Sequence, residues 1–487
     1  MRLDDDLKYF EEPEFKRVLA EYEAARETGM PVYMDAEDLT DIAEYYAMVA
    51  EDEESSNEVI DFALRLHPDA VDPQIFRARQ FMLKGDHDKA RELCDAISDQ
   101  QHREVYFLRA ELLVREKNAE EAFSMLFHLI ETIGEDRDYF IYDSAYIFVD
   151  YHEYEWALAF ANELEEMAPD WYKTWQLKAD VLLGMENNLS SLKYLEKMLD
   201  VDPFCIESWN WSAEAYSNLG RYDKAIESTD YALAIQPDNE RALQLKAWVL
   251  MQQGHSKQAH ELYARLEIMN PDCEQHWLYD SYCMLDMDNV AAAEDLVKRA
   301  KNAANGMSPD QQAIYEQYAQ VLSRKGLVYD ALHQLDLADG TKSDDVAEWD
   351  DRLLRMRVFA ENNRITDALN YLSEMLRTHS DVAIQIAYRG MLVLFDYGYY
   401  DEMMSMMEDF EKARDKWPQE YEVYGYMAYA SMEMGNDELA LKNLRKAIDH
   451  KESCLSELFE ERFPGVRTDE LYDYYYNKVY GGWPENN

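Results

Sequence analysis

Apolar residues recur along this chain at helical spacing within short segments. The first example lies near the start, where Phe15, Val18, Leu19 and Tyr22 fall on one face of a helix predicted over Glu14–Thr28. Glycine and proline are scarce, at 16 and 12 of 487 residues. Few breakers over so long a chain predict helices joined by short turns, and therefore an all-α fold.

Small residues and prolines also recur between segments at a fixed spacing, which we call the repeat period. It is the distance along the chain from Ala225 to Ala259. A constant period of this kind indicates a repeat architecture, in which one supersecondary unit is stacked many times. The alanines that fall on it are Ala157, Ala225, Ala259 and Ala293, and the prolines are Pro169, Pro203, Pro237 and Pro271.

The unit from Ile206 to Asn239 shows the repeat most clearly. It carries Trp209, Ala213, Tyr216, Gly220, Tyr222, Ala225, Ala232 and Pro237. This pattern resembles the tetratricopeptide-repeat (TPR) consensus in nearly every signature position. The preceding unit, Tyr172–Cys205, departs from it in two places, with Glu186–Asn188 at the turn where glycine is usual and Ser191 where alanine is usual.

Each signature residue has a physical reason. Small side chains at Ala213 and Ala225 let the two helices of a unit approach closely, and Gly220 ends the first helix in a left-handed conformation. Pro237 cannot continue the second helix. We expect the aspartates that follow three of the prolines, Asp170, Asp238 and Asp272, to cap the next helix.

Extending this register predicts about twelve units over residues 37–454, most regular over 138–307, with an N-terminal capping segment at 1–36 and a C-terminal one at 455–487. The resemblance implies a right-handed superhelical solenoid of antiparallel helix pairs with helical caps. After Ala300 two connections lengthen, around 302–309 and 339–345. They are either harmless longer loops or places where the solenoid path bends.

The two ends are predicted to be helical, because a repeat stack must cover its terminal apolar faces. Gly29 and Pro31 follow the first helix as stop signals. At the other end, Ser456–Phe463 is predicted to be a helix, and Thr468 to be the N-cap of a last helix. That last segment either caps the final unit or docks into a partner; its aromatic residues are Tyr472, Tyr474, Tyr475, Tyr476, Tyr480 and Trp483.

The charge of the chain is strongly negative, with 100 acidic residues against 48 basic ones and a formal net charge of −52. Nucleic acid and anionic membranes are therefore disfavoured as partners. A Lys/Arg-rich protein partner is permitted. The alternative reading is that the acidity only keeps a long, exposed solenoid soluble.

Cysteine usage and targeting features place the protein in the cytoplasm. Five scattered cysteines form no paired framework, which fits a reducing compartment. The N-terminus lacks the basic and apolar regions of a signal peptide. No apolar run approaches the ~18 residues that a membrane-spanning helix needs.

Motifs of catalysis are missing from the sequence. It has no glycine-rich nucleotide loop, no nucleophile elbow and no zinc-protease motif, and His152–Glu153 lacks the second histidine that such a motif needs. We therefore expect no enzymatic activity, no cofactor and no metal.

The resemblance implies that the first helix of each pair lines a concave groove, which in this family holds an extended or helical peptide. We expect the groove positions not to be needed for packing between helices. The candidate partner-binding residues are Tyr142, Tyr146, Gln176, Asp180, Asn210, Glu214, Gln244, Trp248 and Tyr282. The aromatic ones either anchor a ligand or are partly buried between repeats.

One known class of the family clamps a C-terminal carboxylate with basic residues and asparagine. Here Asn210 has Asp180 and Glu214 as its neighbours, and Arg241 is isolated. The clamp is therefore not expected, and an acidic, aromatic groove favours a basic or mixed peptide.

Three functions remain open on the sequence alone. The first is a protein-binding scaffold or adaptor, and the second is a structural subunit of a larger assembly. The third is an acidic nucleic-acid mimic that sequesters a basic protein. Neither the partner nor the oligomeric state follows from the sequence.

Overall fold

The computed structural model describes residues 9–28, 33–133, 136–304, 306, 308–340, 349–380, 382–411 and 421–481. Over these residues all regular secondary structure is helical, so the all-α prediction is confirmed. The chain divides into two compact units, residues 1–245 and 246–487. The predicted stop signals Gly29 and Pro31, residues 341–345 of the second lengthened connection, and Trp483 lie outside the described residues.

The first unit begins with α1 (Pro13–Thr28) and continues as a stack of antiparallel pairs. We call the two members of a pair helix A and helix B. The pairs are α2 (Ala36–Met48) with α3 (Glu53–Leu66), α4 (Val71–Leu83) with α5 (His87–Ala96), α6 (Arg103–Arg115) with α7 (Ala119–Ile130), α8 (Arg137–Asp150) with α9 (Tyr154–Met167), α10 (Tyr172–Gly184) with α11 (Asn188–Val201), and α12 (Ile206–Asn218) with α13 (Tyr222–Ile235). The boundary between the units falls within α14 (Glu240–Gln252).

The second unit continues the same alternation and ends in two further helices. Its elements are α15 (Ser256–Met269), α16 (Glu274–Asp286) with α17 (Val290–Ala303), α18 (Gln311–Arg324) with α19 (Val328–Asp339), α20 (Trp349–Glu361) with α21 (Ile365–Thr378), α22 (Ala383–Asp396) with α23 (Tyr400–Glu411), α24 (Tyr424–Glu433) with α25 (Asp437–His450), then α26 (Cys454–Glu460) and α27 (Leu471–Tyr480). With α14–α15 included, twelve pairs follow one another in the described ranges.

Small residues set the distance between helices A and B. Ala213 of α12 and Ala225 of α13 are both completely buried where the two helices pack, and Gly220 joins them in the predicted left-handed conformation, with φ of +66°. The departure at Ser191 is accommodated as well. Its side chain is buried, and its hydroxyl donates a hydrogen bond of 2.8 Å to the carbonyl oxygen of Ala179 on the paired helix.

The prediction that the aspartates after the prolines cap the next helices is wrong for Asp170 and Asp272. The N-cap residues of α10 and α16 are Trp171 and Cys273, and neither side chain makes a capping hydrogen bond. The aspartate stands one residue too early, because the residues after the proline form a turn. Before α14 the cap is Asn239, whose Oδ1 accepts from the backbone N of Ala242 at 2.9 Å.

A tryptophan closes three of these turns instead. The indole nitrogen of Trp175 donates to the carbonyl oxygen of Pro169 at 2.7 Å. Trp209 and Trp277 repeat this contact with the prolines six residues before them, at 2.9 Å in both cases. The ring packs on the repeat while its one donor satisfies the turn.

Helices cover both ends of the stack. Phe15 and Tyr22 of α1 are buried against the core of the first pair. In the second unit Leu471 and Tyr475 of α27 are buried, and the Tyr475 hydroxyl donates to Asp437 of α25 at 2.6 Å. The prediction that Thr468 caps α27 is wrong, because residues 468–470 form a turn and the helix begins at Leu471.

Candidate protein-binding surface

Within each unit the A helices pack side by side, and we call the face that they share the inner face. In the first unit each A helix packs against the next one, from α2 through α4, α6, α8 and α10 to α12. In the second unit α16, α18, α20 and α22 do the same. Side chains on this face that lie one repeat period apart therefore form ladders, with one rung on each A helix. The candidate residues belong to two such ladders.

The first ladder consists of Tyr142, Gln176, Asn210 and Gln244. Tyr142 is only 6% exposed, and its hydroxyl donates to Gln176 Oε1 on the next A helix at 3.1 Å. Asn210 is 3% exposed, and its Nδ2 donates to Asn239 Oδ1 at 3.1 Å. The expectation that these positions are not needed for packing is therefore wrong for Tyr142 and Asn210, since both face the following repeat.

The second ladder consists of Tyr146, Asp180 and Glu214 in the first unit, and it is half-buried rather than buried. The ring of Tyr146 packs edge-on against Tyr142, with 4.8 Å between the ring centroids. Glu214 Oε2 accepts from Arg241 Nη2 at 2.7 Å. Arg241, which the sequence presented as isolated, is thus paired with a ladder carboxylate.

The carboxylates of this ladder act on their surroundings together. Burial is the main reason that the pKa of Tyr154 is raised, and the charges of Asp180 and Glu214 raise it further. Both carboxylates therefore contribute negative potential to the same part of the first unit.

Lys173 lies over the rings of two tyrosines on α8, one of which belongs to the first ladder. The Lys173 ammonium lies 4.7 Å from the ring centroid of Tyr142 and 5.4 Å from that of Tyr139. Trp171 packs edge-on against Tyr139 at 4.9 Å. These rings therefore hold a cation of the protein itself.

In the second unit Trp248 and Tyr282 occupy second-ladder positions, and both are half-buried. The ring of Tyr282 lies 6.3 Å from that of Tyr279, which in turn stacks on Tyr263 at 6.0 Å. Tyr282 therefore rests on the core of this unit, and both candidate aromatics keep part of their surface accessible.

Two family models described as tetratricopeptide repeat match residues 177–240 and 219–279. The chain is a tetratricopeptide-repeat protein. Proteins of this family generally mediate protein–protein interaction or scaffolding, and they are typically not enzymes.

One curated relative of this tetratricopeptide-repeat protein is superkiller protein 3 of Saccharomyces cerevisiae, 25% identical over 157 residues. The match covers 29% of this chain and 10% of the relative, so it spans about a tenth of that protein's length.

Similar solved structures include a tetratricopeptide-repeat protein of Parabacteroides merdae, with a TM-score of 0.42, 13% identity, and coverage of 52% of this chain and 98% of that one. PilW, described as a widely conserved type IV pilus biogenesis factor, has a TM-score of 0.38 and 20% identity, with coverage of 42% and 92%. MamA of Desulfovibrio magneticus RS-1 has a TM-score of 0.33 and 17% identity, with coverage of 36% and 98%.

The part of the tetratricopeptide-repeat protein that the structure describes contains no group of three or more His, Cys, Asp or Glu side chains placed to hold a metal ion. Across these same residues, no helix is both long and apolar enough to cross a bilayer. All five cysteines lie in the described ranges, and each is a free thiol.

Sequence reasoning missed Trp171 as part of the aromatic cluster around Lys173. Trp171 could have been recognised from the repeat, because the equivalent positions 205, 239 and 273 hold Cys, Asn and Cys. A tryptophan in that place is a departure from the array. Comparing each position with its equivalents in the neighbouring units would have identified it.

Proposed function

We propose that the protein is a non-catalytic scaffold or adaptor that binds a segment of a partner protein on the inner face of its A helices. The observation that carries this proposal is the second ladder. It presents half-buried Tyr146, Asp180 and Glu214 on successive A helices of the first unit, and Trp248 and Tyr282 at the same repeat positions in the second. Half-buried aromatics beside carboxylates suit the recognition of a protein segment.

The charge of the ladder favours a basic or mixed segment. Asp180 and Glu214 place carboxylates on successive A helices, and neighbouring rings hold the ammonium of Lys173. A Lys or Arg side chain of a partner would meet the same negative potential and the same kind of ring face. Electrostatic complementarity of this kind acts mainly on association rate and specificity. Five free thiols fit a cytoplasmic location, which is part of the proposal.

The test is capture of partners by the full chain from native extract, at low and at high salt, with identification by mass spectrometry. We expect one salt-resistant partner that is retained by the wild type and lost from Trp248→Ala, Tyr282→Ala and Asp180→Asn variants. Tyr329→Ala serves as the control, because Tyr329 is an exposed aromatic on a B helix. If all three ladder variants retain the partner, the proposed binding surface is wrong.

The same experiment addresses the nucleic-acid mimic. Salt-labile capture of many basic proteins, without any salt-resistant partner, would favour the mimic over the scaffold, because non-specific attraction between opposite charges is screened by salt.

A second candidate function, a structural subunit of a larger assembly, is favoured by the last helix. Tyr476 and Tyr480 on α27 are exposed, with 5.3 Å between their ring centroids. If this face carries the contact, a Tyr476→Ser/Tyr480→Ser variant loses the partner and the ladder variants keep it.

A further inference from the structure

In a repeat array, each residue can be compared with the residues at equivalent positions in neighbouring units. These positions lie one repeat period apart and have the same structural surroundings. The turn residue after the repeating proline is Asp170, Asp238 and Asp272 in three of the regular units. In the fourth it is Phe204, and this side chain is 72% exposed. A solvated turn needs only a polar residue there, so the phenylalanine is not explained by the turn.

A second position shows the same kind of departure. The turn-closing tryptophans are covered by a cation from helix B of their own pair. The Lys197 ammonium lies 5.6 Å from the Trp175 ring, and the Arg299 guanidinium lies 5.0 Å from the Trp277 ring. The interval along the chain from the tryptophan to its cation is the same in both pairs, so the two cations occupy equivalent positions.

The helix pair that follows Phe204, α12 with α13, has a tyrosine in place of this cation. Tyr231, at the equivalent position, stacks on Trp209 with 4.5 Å between the ring centroids and 23° between the ring planes. It is 48% exposed. The tryptophan ring is thus covered in all three pairs, but at Trp209 the covering side chain is aromatic rather than charged.

These two departures meet on one surface. The indole of Trp209 donates to the carbonyl oxygen of Pro203, directly before Phe204, and the same ring carries Tyr231. Val201, exposed at the end of α11, adds an aliphatic side chain shortly before Phe204. We call Val201, Phe204, Trp209 and Tyr231 the aromatic patch. Its members lie at the end of α11, in the turn that follows, on α12 and on α13, and none of them belongs to either ladder.

Carboxylates surround the aromatic patch. Asp200, Asp202, Glu207 and Asp230 are exposed within a few residues of its members. The Asp202 side chain also accepts from the backbone N of Phe204 at 3.0 Å, which fixes the turn that presents the ring. An apolar surface with an acidic border is complementary to a segment that has an apolar centre and a basic border.

We propose that the aromatic patch binds a segment of another protein that carries a large apolar or aromatic side chain flanked by Lys or Arg. A second copy of this chain is disfavoured as the occupant, because two molecules of net charge −52 repel each other. The proposal goes beyond the inner-face function, because none of the patch residues belongs to either ladder. Exposed aromatics of this kind are typical anchors in protein interfaces.

The array itself supplies the test variants. Phe204→Asp and Tyr231→Lys install the residues that the equivalent positions 170, 238 and 272, and 197, already hold in folded repeats. We therefore expect both variants to fold, with the circular dichroism spectrum and melting temperature of the wild type. The control is Ile268→Asp in the second unit, where an 84% exposed side chain lies outside the patch.

The binding probe is a fluorescein-labelled peptide with a central tryptophan–leucine pair flanked on each side by lysines, measured by anisotropy with the full chain. We expect saturable binding by the wild type and by Ile268→Asp. Binding should be weaker by about tenfold or more in Phe204→Asp/Tyr231→Lys, as for loss of an interface anchor. Peptides with glutamate for lysine, or alanine for the apolar pair, should bind poorly.

Several results would overturn the proposal. They are no saturable binding by the wild type, equal binding by the double variant, or an equal loss in Ile268→Asp. Self-association of the wild type that Phe204→Asp abolishes in sedimentation would make the patch a contact between copies instead. If Trp248→Ala and Tyr282→Ala lose the probe while Phe204→Asp retains it, the patch proposal fails and the inner-face function stands.

Discussion

Glu186 stands at the turn between α10 and α11 with a φ of +58°, in the left-handed region that equivalent turns fill with Gly220 and Gly254. The residue type at this turn differs from the glycine of the equivalent turns, but the backbone has the same left-handed conformation. A residue with a Cβ in this conformation carries a cost of about 1–2 kcal/mol relative to a right-handed one. The turn tolerates that cost because the helices on both sides are held by packing.

We expect Glu186→Gly to stabilise the protein by roughly 0.5–1 kcal/mol, since glycine removes the strain but loses more entropy on folding. The measurement is the midpoint of urea unfolding. Met185→Gly is the matched control, because Met185 has a φ of −84° and gains nothing from glycine. A lower midpoint for Glu186→Gly would show that the side chain contributes more than the strain costs.

Two carboxyl groups and a histidine meet between α15 and α16. Burial is the main cause that raises the pKa of Glu267 from 4.5 to about 8, and the neighbouring Asp280 raises it further through its charge and a hydrogen bond. Burial also raises the pKa of Asp280, whose Oδ1 lies 2.7 Å from Nδ1 of His260. At neutral pH the folded protein therefore keeps a proton on Glu267 that the unfolded chain releases.

The sign of the pH dependence follows from that proton. Between about pH 4.5 and 8 the folded state binds more protons than the unfolded state at this site, so its contribution to stability falls as the pH rises. In Glu267→Gln this slope should disappear from thermal unfolding followed across the same pH range. Glu261→Gln, an exposed carboxylate on the same helix, should leave the slope unchanged. An unchanged slope in Glu267→Gln would contradict the assignment.

At the scale of elements, two glutamates in the second unit cap the starts of α24 and α26. Each glutamate precedes one of these helices and binds the first backbone N–H groups of the other. Glu452, which is buried, precedes α26 but reaches the start of α24. Its carboxylate accepts from the backbone N of Val423, Tyr424 and Gly425 at 3.1, 3.2 and 2.7 Å. These are donors that a helix start leaves without a partner inside the helix.

Glu422 precedes α24 and reaches the start of α26 in return. It accepts from the backbone N of Ser453 and Cys454 at 2.6 and 2.7 Å. Burial raises the pKa of Glu422, but these hydrogen bonds outweigh it, and the net pKa is lowered. The two helices are thus joined by carboxylate-to-backbone bonds in both directions.

We expect Glu452→Ala to destabilise the second unit by about 2 kcal/mol, because buried backbone donors lose a charged acceptor. Hydrogen exchange followed by mass spectrometry should show faster exchange at residues 423–425. Glu457→Ala, an exposed glutamate on α26, should leave these amides protected. Retained protection at residues 423–425 in Glu452→Ala would rule out this role of the glutamate.

At the scale of the whole molecule, the dominant quantity is the net charge of −52. The 100 acidic residues outnumber the 48 basic ones, so ion pairs such as Arg79–Glu111, at 2.7 Å, cannot balance all of the carboxylates. Self-repulsion opposes the compact state, and salt screens it over distances of about 10 Å at 0.1 M.

We therefore expect the melting temperature to rise when NaCl is increased from low to moderate concentration. An uncharged osmolyte at matched osmolality is the control for effects other than screening. A fall in melting temperature with salt would mean that attractive ion pairs outweigh the excess of negative charge.

The repeated part of the molecule can be assigned from the amino-acid sequence alone. Ala213, Ala225 and Gly220 could be assigned correctly because the same requirements recur from unit to unit. These are small side chains where two helices pack closely and a left-handed residue at the turn. Residue types that recur once in every repeat period can be recognised in a single sequence without any structure. For the candidate surface this spacing defined the ladders but not their exposure.

The differences between one unit and the next depend on contacts between helices, which become visible in the folded chain. Tyr142 and Asn210 are buried because of what the following repeat places opposite them, and Glu452 binds backbone that lies 27–29 residues earlier. The pKa of Glu267 is raised by burial and by Asp280, which a different helix places beside it. Such contacts depend on distances between side chains of different helices, which the period of the sequence does not contain.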